Sequence, residues 1–279
     1  MNSNRPVRLS SVARFLGLAL YFVFLAFPIY WLVITSFKSA GDLFALPIKY
    51  YPEQPTLINY AKTFEKTMIP QYFLNSLYVS SAAALITSLV AILGGYSMAR
   101  FHFRGKQPTL LLFLATQMMP IVLLIVPLFI LFKTLRLIDT LYSLMLVYTV
   151  FNIPFCTVML RGFFEGIPKE IEDCAMVDGC TRMMALFLVT LPNVLPGLVA
   201  TLLFAFVAAW NELLFGLMFL NTMERYTLPV GLSLYVGKYE VNWGMISAGA
   251  TLGLIPALVI FGFVQRYMVK GLTVGAVKG

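Results

Sequence analysis

The amino-acid sequence predicts an all-α, polytopic membrane protein with six transmembrane helices. Three observations carry this expectation. Hydrophobic residues fill 60% of the 279 positions and charged residues only 11%, against about 45–50% and roughly 25% in a soluble domain. The mean hydropathy is +0.86. The apolar residues fall in long runs, and about 20 such residues cross a bilayer core once. A soluble enzyme, a disordered chain and a disulfide-stapled secreted module are excluded.

The elements follow in order. Residues 1–14 carry Arg5, Arg8 and Arg14 and read as a cytoplasmic N-terminus. The apolar run from Phe15 to about Phe37 is too long for a signal-peptide core and reads as a retained first span. Residues 38–70 hold Pro47, Pro52, Pro55 and Pro70, so they read as an external segment of loops and short helices. A second span runs from Tyr72 to Ala99, and the basic stretch Arg100 to Lys106, with His102, follows it as a cytoplasmic turn. The third span covers 108–132, a short external turn follows, and the fourth covers 140–160. Residues 161–190 form the longest charged cytoplasmic loop. A fifth span over 191–220, an external loop over 221–242, a sixth span over 244–266 and a basic tail at 267–279 complete the chain. The membrane region is thus 15–266.

The net charge of +8 is read as an orientation signal, with no nucleic-acid partner. Basic residues collect in cytoplasmic loops. The topology above puts twelve Lys/Arg inside and eight outside, which accounts for all 20. Cys156, Cys174 and Cys180 form no CxxC pair and, with one histidine, no metal set. They read as reduced thiols without a chemical role.

The segment 168–192, PKEIEDCAMVDGCTRMMALFLVTLP, differs from every other cytoplasmic loop here. Glu170, Glu172 and Asp173 alternate with Ile171, Cys174, Ala175 and Val177 at near-helical spacing. Pro168 suits a first helical turn, where its missing N–H costs nothing. Acids there complement the helix dipole. Gly179 then lets the chain reverse. The pattern predicts a short amphipathic helix, a glycine turn and a second helix entering the membrane. Lipid-surface helices are rich in Lys and Arg, whereas this one is acidic, which favours a protein partner's groove. A solvated loop and a surface helix are the alternatives.

This segment resembles the EAA loop of ABC importer permeases, Glu-Ala-Ala, three residues, Gly, nine residues, Ile-x-Leu-Pro. Asp173, Cys174 and Ala175 stand for Glu-Ala-Ala, Gly179 is the glycine, and Val189, Thr190, Leu191 and Pro192 close the pattern at matching spacing. Departures at Asp173, Cys174 and Val189 are mild. Nearly the whole chain is similar to the carbohydrate branch, of the maltose-type second permease kind. SFKSAGDLF at 36–44, PTLINY at 55–60, NSL at 75–77, RFHFRGK at 100–106, WNELLF at 210–215, TLPVGL at 227–232 and QRYMVKGLTVGAVKG at 265–279 carry this resemblance.

The resemblance implies a type I ABC importer fold and a non-catalytic subunit without cofactor, with ATP and Mg bound by a partner ATPase. The sequence agrees in having no GxxxxGK[ST] loop. Implied partners are two copies of that ATPase, a second homologous permease, an extracytoplasmic sugar-binding protein, a sugar substrate and membrane lipid. The cargo class is an oligosaccharide, disaccharide, related polyol or glycerol-phosphate. The implied place is a bacterial or archaeal cytoplasmic membrane, with both termini inside. Glu170, Glu172, Asp173, Ala175, Asp178, Gly179, Leu191 and Pro192 are the ATPase-coupling candidates. Glu172 is expected to pair with a basic group on the ATPase, and Asp178 is also a candidate cap for the following helix. Lys270, Gly271, Gly275 and Lys278 are candidate C-terminal ATPase contacts; such a tail is otherwise an ordinary flexible terminus.

Asn211 and Glu212 follow Trp210 at the outer end of the fifth span. An acid at membrane depth is costly and faces a cavity or a partner. Two readings are open: the pair lines the translocation path, or Glu212 sits wet at the interface. An ion-coupled carrier would need buried acids within spans, and the spans hold almost none beyond Glu212. An intramembrane enzyme would need a metal or nucleophile constellation, which one histidine and scattered cysteines do not supply.

Overall fold

A computed structural model of the chain describes residues 6–237 and 242–275, with side chains described over 12–235 and 242–265. Every regular element among the described residues is helical. In chain order they are α1 (Pro6–Ser36), α2 (Ala40–Leu43), α3 (Ile58–Lys66), α4 (Ile69–Arg100), α5 (Lys106–Met118), α6 (Ile121–Thr134), α7 (Leu141–Glu165), α8 (Lys169–Val177), α9 (Arg182–Met184), a π-helical stretch (Ala185–Thr190), α10 (Leu191–Asn193), α11 (Leu195–Trp210), α12 (Leu214–Phe219), a 3-10 turn (Met223–Arg225), α13 (Leu228–Gly237) and α14 (Trp243–Gly275).

Four helical stretches are long and apolar enough to cross a membrane alone: Val12–Ser36, Ile69–Arg100, Leu141–Glu165 and Trp243–Gln265. Two further helix pairs are bent, and the count reaches six when each pair is one span. The third span was expected to be continuous over 108–132. It is two helices, α5 and α6, bent by 100°. Pro120 sits at the break in extended geometry and cannot donate the backbone hydrogen bond that would carry α5 onward.

The fifth span was expected over 191–220. It begins earlier, as Arg182–Asn193, and bends by 82° into Leu195–Trp210. Pro192 and Pro196 each stand in the first turn of a segment, next to this bend. The helix ends at Trp210, and Leu214–Phe219 is a separate short helix. The loop expected over 221–242 contains α13.

The described residues divide into two compact units, one drawn from those up to Ile69 and those within Leu234–Leu254, the other from Pro70–Ser233 and those from Ile255 onward. In the first, Asn59 is the tie. Its amide donates to the carbonyls of Ser36 (2.9 Å) and Lys38 (2.8 Å). Thr63 Oγ1 donates to the Asn59 carbonyl at 2.7 Å. Lys38 is buried, donates to the Lys49 carbonyl at 2.6 Å and lies 4.1 Å over the Trp31 ring. The 36–44 and 55–60 motifs are therefore two halves of one polar knot.

The second unit has an apolar core of Val79, Ala83, Ile125, Phe132, Leu144, Val147, Phe215 and Phe219. The helices α7 and α11 pack along each other, with the Phe155 and Phe204 rings stacked 4.1 Å apart. Asn75 donates to the carbonyls of Glu224 (2.8 Å) and Tyr226 (2.9 Å), and Ser76 Oγ accepts from the Leu228 N–H (2.7 Å). These two residues of the NSL motif fix the chain as it enters α13.

Candidate functional site: the amphipathic helix of the longest charged loop

The helix α8 turns two faces in two directions. Glu172 and Ala175, one turn apart, are buried. Glu170, Asp173, Cys174 and Val177, spaced i, i+3, i+4 and i+7, are exposed and share one face. With Asp178 they line a shallow cavity of about 340 Å³. Glu170 and Glu172 lie in the first turn, where the helix dipole favours negative charge.

Gly179 ends this helix at φ +91°. The Cys180 N–H donates to the Ala175 carbonyl (3.0 Å) and the Gly179 N–H to the Met176 carbonyl (3.1 Å). This is the paired closure of a glycine-terminated helix. The expectation that Asp178 caps the next helix is corrected. Thr181 is the cap: its hydroxyl oxygen accepts from the Met184 N–H at 3.3 Å.

The buried face is held by charge. Arg100 Nε donates to Glu172 Oε1 at 2.7 Å, with both side chains nearly inaccessible. Tyr96 Oη donates to Glu172 Oε2 at 2.9 Å. Arg100 Nη2 donates to the Ile167 carbonyl at 3.0 Å, just before α8. Aromatic contacts surround the clamp. Tyr96 meets Phe164 and Phe101 edge to face, and the Arg182 guanidinium lies 5.1 Å over the Phe101 ring.

The expectation that Glu172 pairs with a basic group on another protein is corrected by this clamp. Its two carboxylate oxygens are engaged within the chain and it is 5% exposed. Sequence reasoning missed Arg100 and Tyr96, reading Arg100 only as an orientation charge. The available signal was their i, i+4 spacing, which puts both on one face at the very end of a span.

Leu191 and Pro192 lie in α10 and are not among the residues lining the cavity at α8. Asn211 is exposed and returns its amide to the Val207 carbonyl at 3.0 Å. Glu212 is half-buried and fully engaged. It accepts from Tyr148 Oη (2.7 Å) and from the Phe215 (3.0 Å) and Gly216 (3.4 Å) N–H groups. It thereby caps α12, a role the sequence did not announce. Lys270, Gly271, Gly275 and Lys278 lie outside the described residues at side-chain level. Among the described residues no group of three or more His, Cys, Asp or Glu is placed to hold a metal.

The comparison with known proteins decides the class. The profile of the family described as binding-protein-dependent transport system inner membrane component matches residues 91–274. The chain belongs to this family. The family match takes in α8, its glycine turn and the Arg100 anchor. Over 266 residues the chain is 38% identical to the sulfoquinovosyl glycerol transport system permease SmoH of Agrobacterium fabrum, covering 95% of this chain and 93% of that one. It is 36% identical to the diacetylchitobiose uptake system permease DasC of Streptomyces coelicolor, covering 92% and 94%. It is 30% identical to the trehalose/maltose transport system permease MalG of Thermococcus litoralis, covering 97% and 98%. A chain of a bacterial ABC transporter for the acidic polysaccharide alginate superposes with a TM-score of 0.80 at 18% identity, over 96% of this chain and 99% of that one. The fold is the type I importer permease fold, and the protein is a multi-pass membrane component of a transport system.

Proposed function

We propose that this chain is one permease subunit of an ABC importer for a sugar or a closely related polyol or glycerol-phosphate. The carrying observation is α8. One face is clamped by a buried ion pair, and the other offers carboxylates interleaved with Cys174 and Val177. A face of this kind fits a cleft with an apolar floor and a basic rim. On this reading the cleft belongs to an ATPase subunit, present in two copies, which binds ATP and Mg and does the hydrolysis. The relatives' cargoes, a sulfoquinovosyl glycerol, diacetylchitobiose and trehalose/maltose, support a glycosidic substrate. A second permease completes the pathway, and an extracytoplasmic binding protein delivers the cargo. Both termini and α8 face the cytoplasm of a bacterial or archaeal cell.

The chain supplies coupling and no catalysis. Closure of the ATPases displaces α8, and binding energy at one face becomes opening at the other. The test is gentle detergent extraction through a tag on this chain, identification of what accompanies it, and reconstitution. The expected outcome is an ATPase, a second permease and uptake that requires ATP inside the vesicle with the ATPase. Uptake by this chain alone, independent of ATP, would overturn the proposal.

A further inference from the structure

The helix α8 has weak covalent moorings. It is entered through Gly166, Ile167 and Pro168 and left through Gly179 at positive φ. Among its residues only Glu172 and Ala175 are buried, so little apolar surface holds it. Its backbone packs on the π-helical stretch that follows it in sequence. Two α4 side chains, Tyr96 and Arg100, bridge to it through the Glu172 carboxylate. Arg100 makes the bridge twice, once to the Glu172 carboxylate and once to the Ile167 carbonyl. Only a planar fork of donors reaches two acceptors on either side of a helix start in this way.

The geometry points to Arg100 as a positioning residue that makes α8 and the cytoplasmic end of α4 move as one body, so that displacement of α8 enters the membrane domain through α4. This rests on the reading of the chain as an importer subunit. The competing route runs through the covalent joint at Gly179 into the π-helical stretch and α11. A buried pair with excellent geometry is rigid, because breaking it leaves an uncompensated charge away from water. A glycine turn with open space around it is soft. Of the two routes, the clamp is the stiffer.

The experiment uses the purified complex with its ATPase. One spin label is placed by Ile171→Cys, exposed on α8 and outside the rim residues, with Cys174 and Cys180 replaced by serine and Cys156 fully buried. A second spin label is placed by Leu89→Cys on an exposed position of α4 (61% exposed). Label-to-label distance is measured without nucleotide and with ATP, Mg and vanadate. The wild-type background is expected to give one narrow distance that does not change. Arg100→Gln is expected to broaden it and to add a nucleotide-driven shift. Tyr96→Phe, which removes one hydrogen bond and no charge, is expected to assemble normally and give a smaller shift, and it carries the test if Arg100→Gln does not assemble. A purely structural role would lower the yield of complex without moving the distance. A nucleotide-driven shift in the wild-type background, or an unchanged distance in the assembled variants, overturns the inference while leaving the importer reading intact. Absence of any associated ATPase overturns the importer reading itself.

Discussion

Gly179 and Gly231 refuse a side chain for opposite reasons. At Gly179 nothing lies within 4 Å of an added Cβ, but φ is +91°. Alanine there is expected to cost about 1–2 kcal/mol through backbone strain. At Gly231 an added Cβ would stand 2.0 Å from Tyr72 Cδ2. Alanine there is expected to cost about 1–3 kcal/mol through overpacking. Thermal unfolding in detergent separates the two causes. Trimming Tyr72 to leucine should recover much of the Gly231→Ala loss, whereas no neighbour exists whose trimming recovers Gly179→Ala. Asp139 gives a second residue-scale expectation. Burial pushes its carboxyl up, but the Thr222 hydroxyl, the Asn221 and Thr222 N–H groups and the Arg225 charge outweigh this and hold it below the ordinary carboxylate value. A carboxyl depressed in the folded state stabilises above its unfolded value of about 3.9 and loses that contribution as pH falls through the folded value. The unfolding midpoint of Asp139→Asn should therefore change less than the wild type's below about pH 4. The sequence placed Asp139 in a turn and could say nothing of partners more than 80 positions away.

At the scale of elements, the periodicity and the glycine of the 168–192 segment were readable because they are local. The helix, the turn and the second helix are where the spacing put them. The cap was not, since Asp178 and Thr181 both carry a suitable oxygen and only the entry angle chooses between them. Thr181→Ala is expected to cost about 1 kcal/mol, and Asp178→Ala close to nothing, by the same unfolding measurement. The spans were readable as apolar runs, but their bends were not. Hydropathy has no term for direction, so α5–α6 and the fifth crossing read as straight rods although Pro120, Pro192 and Pro196 were in view. The inward turn of Glu172 was hidden for a different reason. Its partner Arg100 lies 72 positions away, and a carboxylate on an amphipathic helix looks the same from the sequence whichever face it joins.

At the scale of the whole molecule, orientation links the charge count to function. On the proposed topology α8 lies on the side that holds twelve of the 20 Lys and Arg, the sense expected of a cytoplasmic face, where an ATPase can reach it. The native cysteines make this measurable without disturbing the fold. Cys174 is exposed on the rim of α8, whereas Cys156 is buried in α7. A membrane-impermeant maleimide should leave Cys174 unmodified in intact cells and modify it in inverted vesicles stripped of the ATPase, and Cys156 should react only after denaturation. In a Cys174→Ser, Cys180→Ser background, Thr222→Cys beside Asp139 should show the reverse sidedness, because an odd number of crossings separates it from α8. Modification of Cys174 from outside the cell would invert the chain. It would put the acidic rim where no ATPase is found, and the clamp between Glu172 and Arg100 would then need another purpose. Sidedness is thus the observation on which residue, element and molecule depend together, since the Arg100 anchor has mechanical meaning only if the face opposite it meets the energy source.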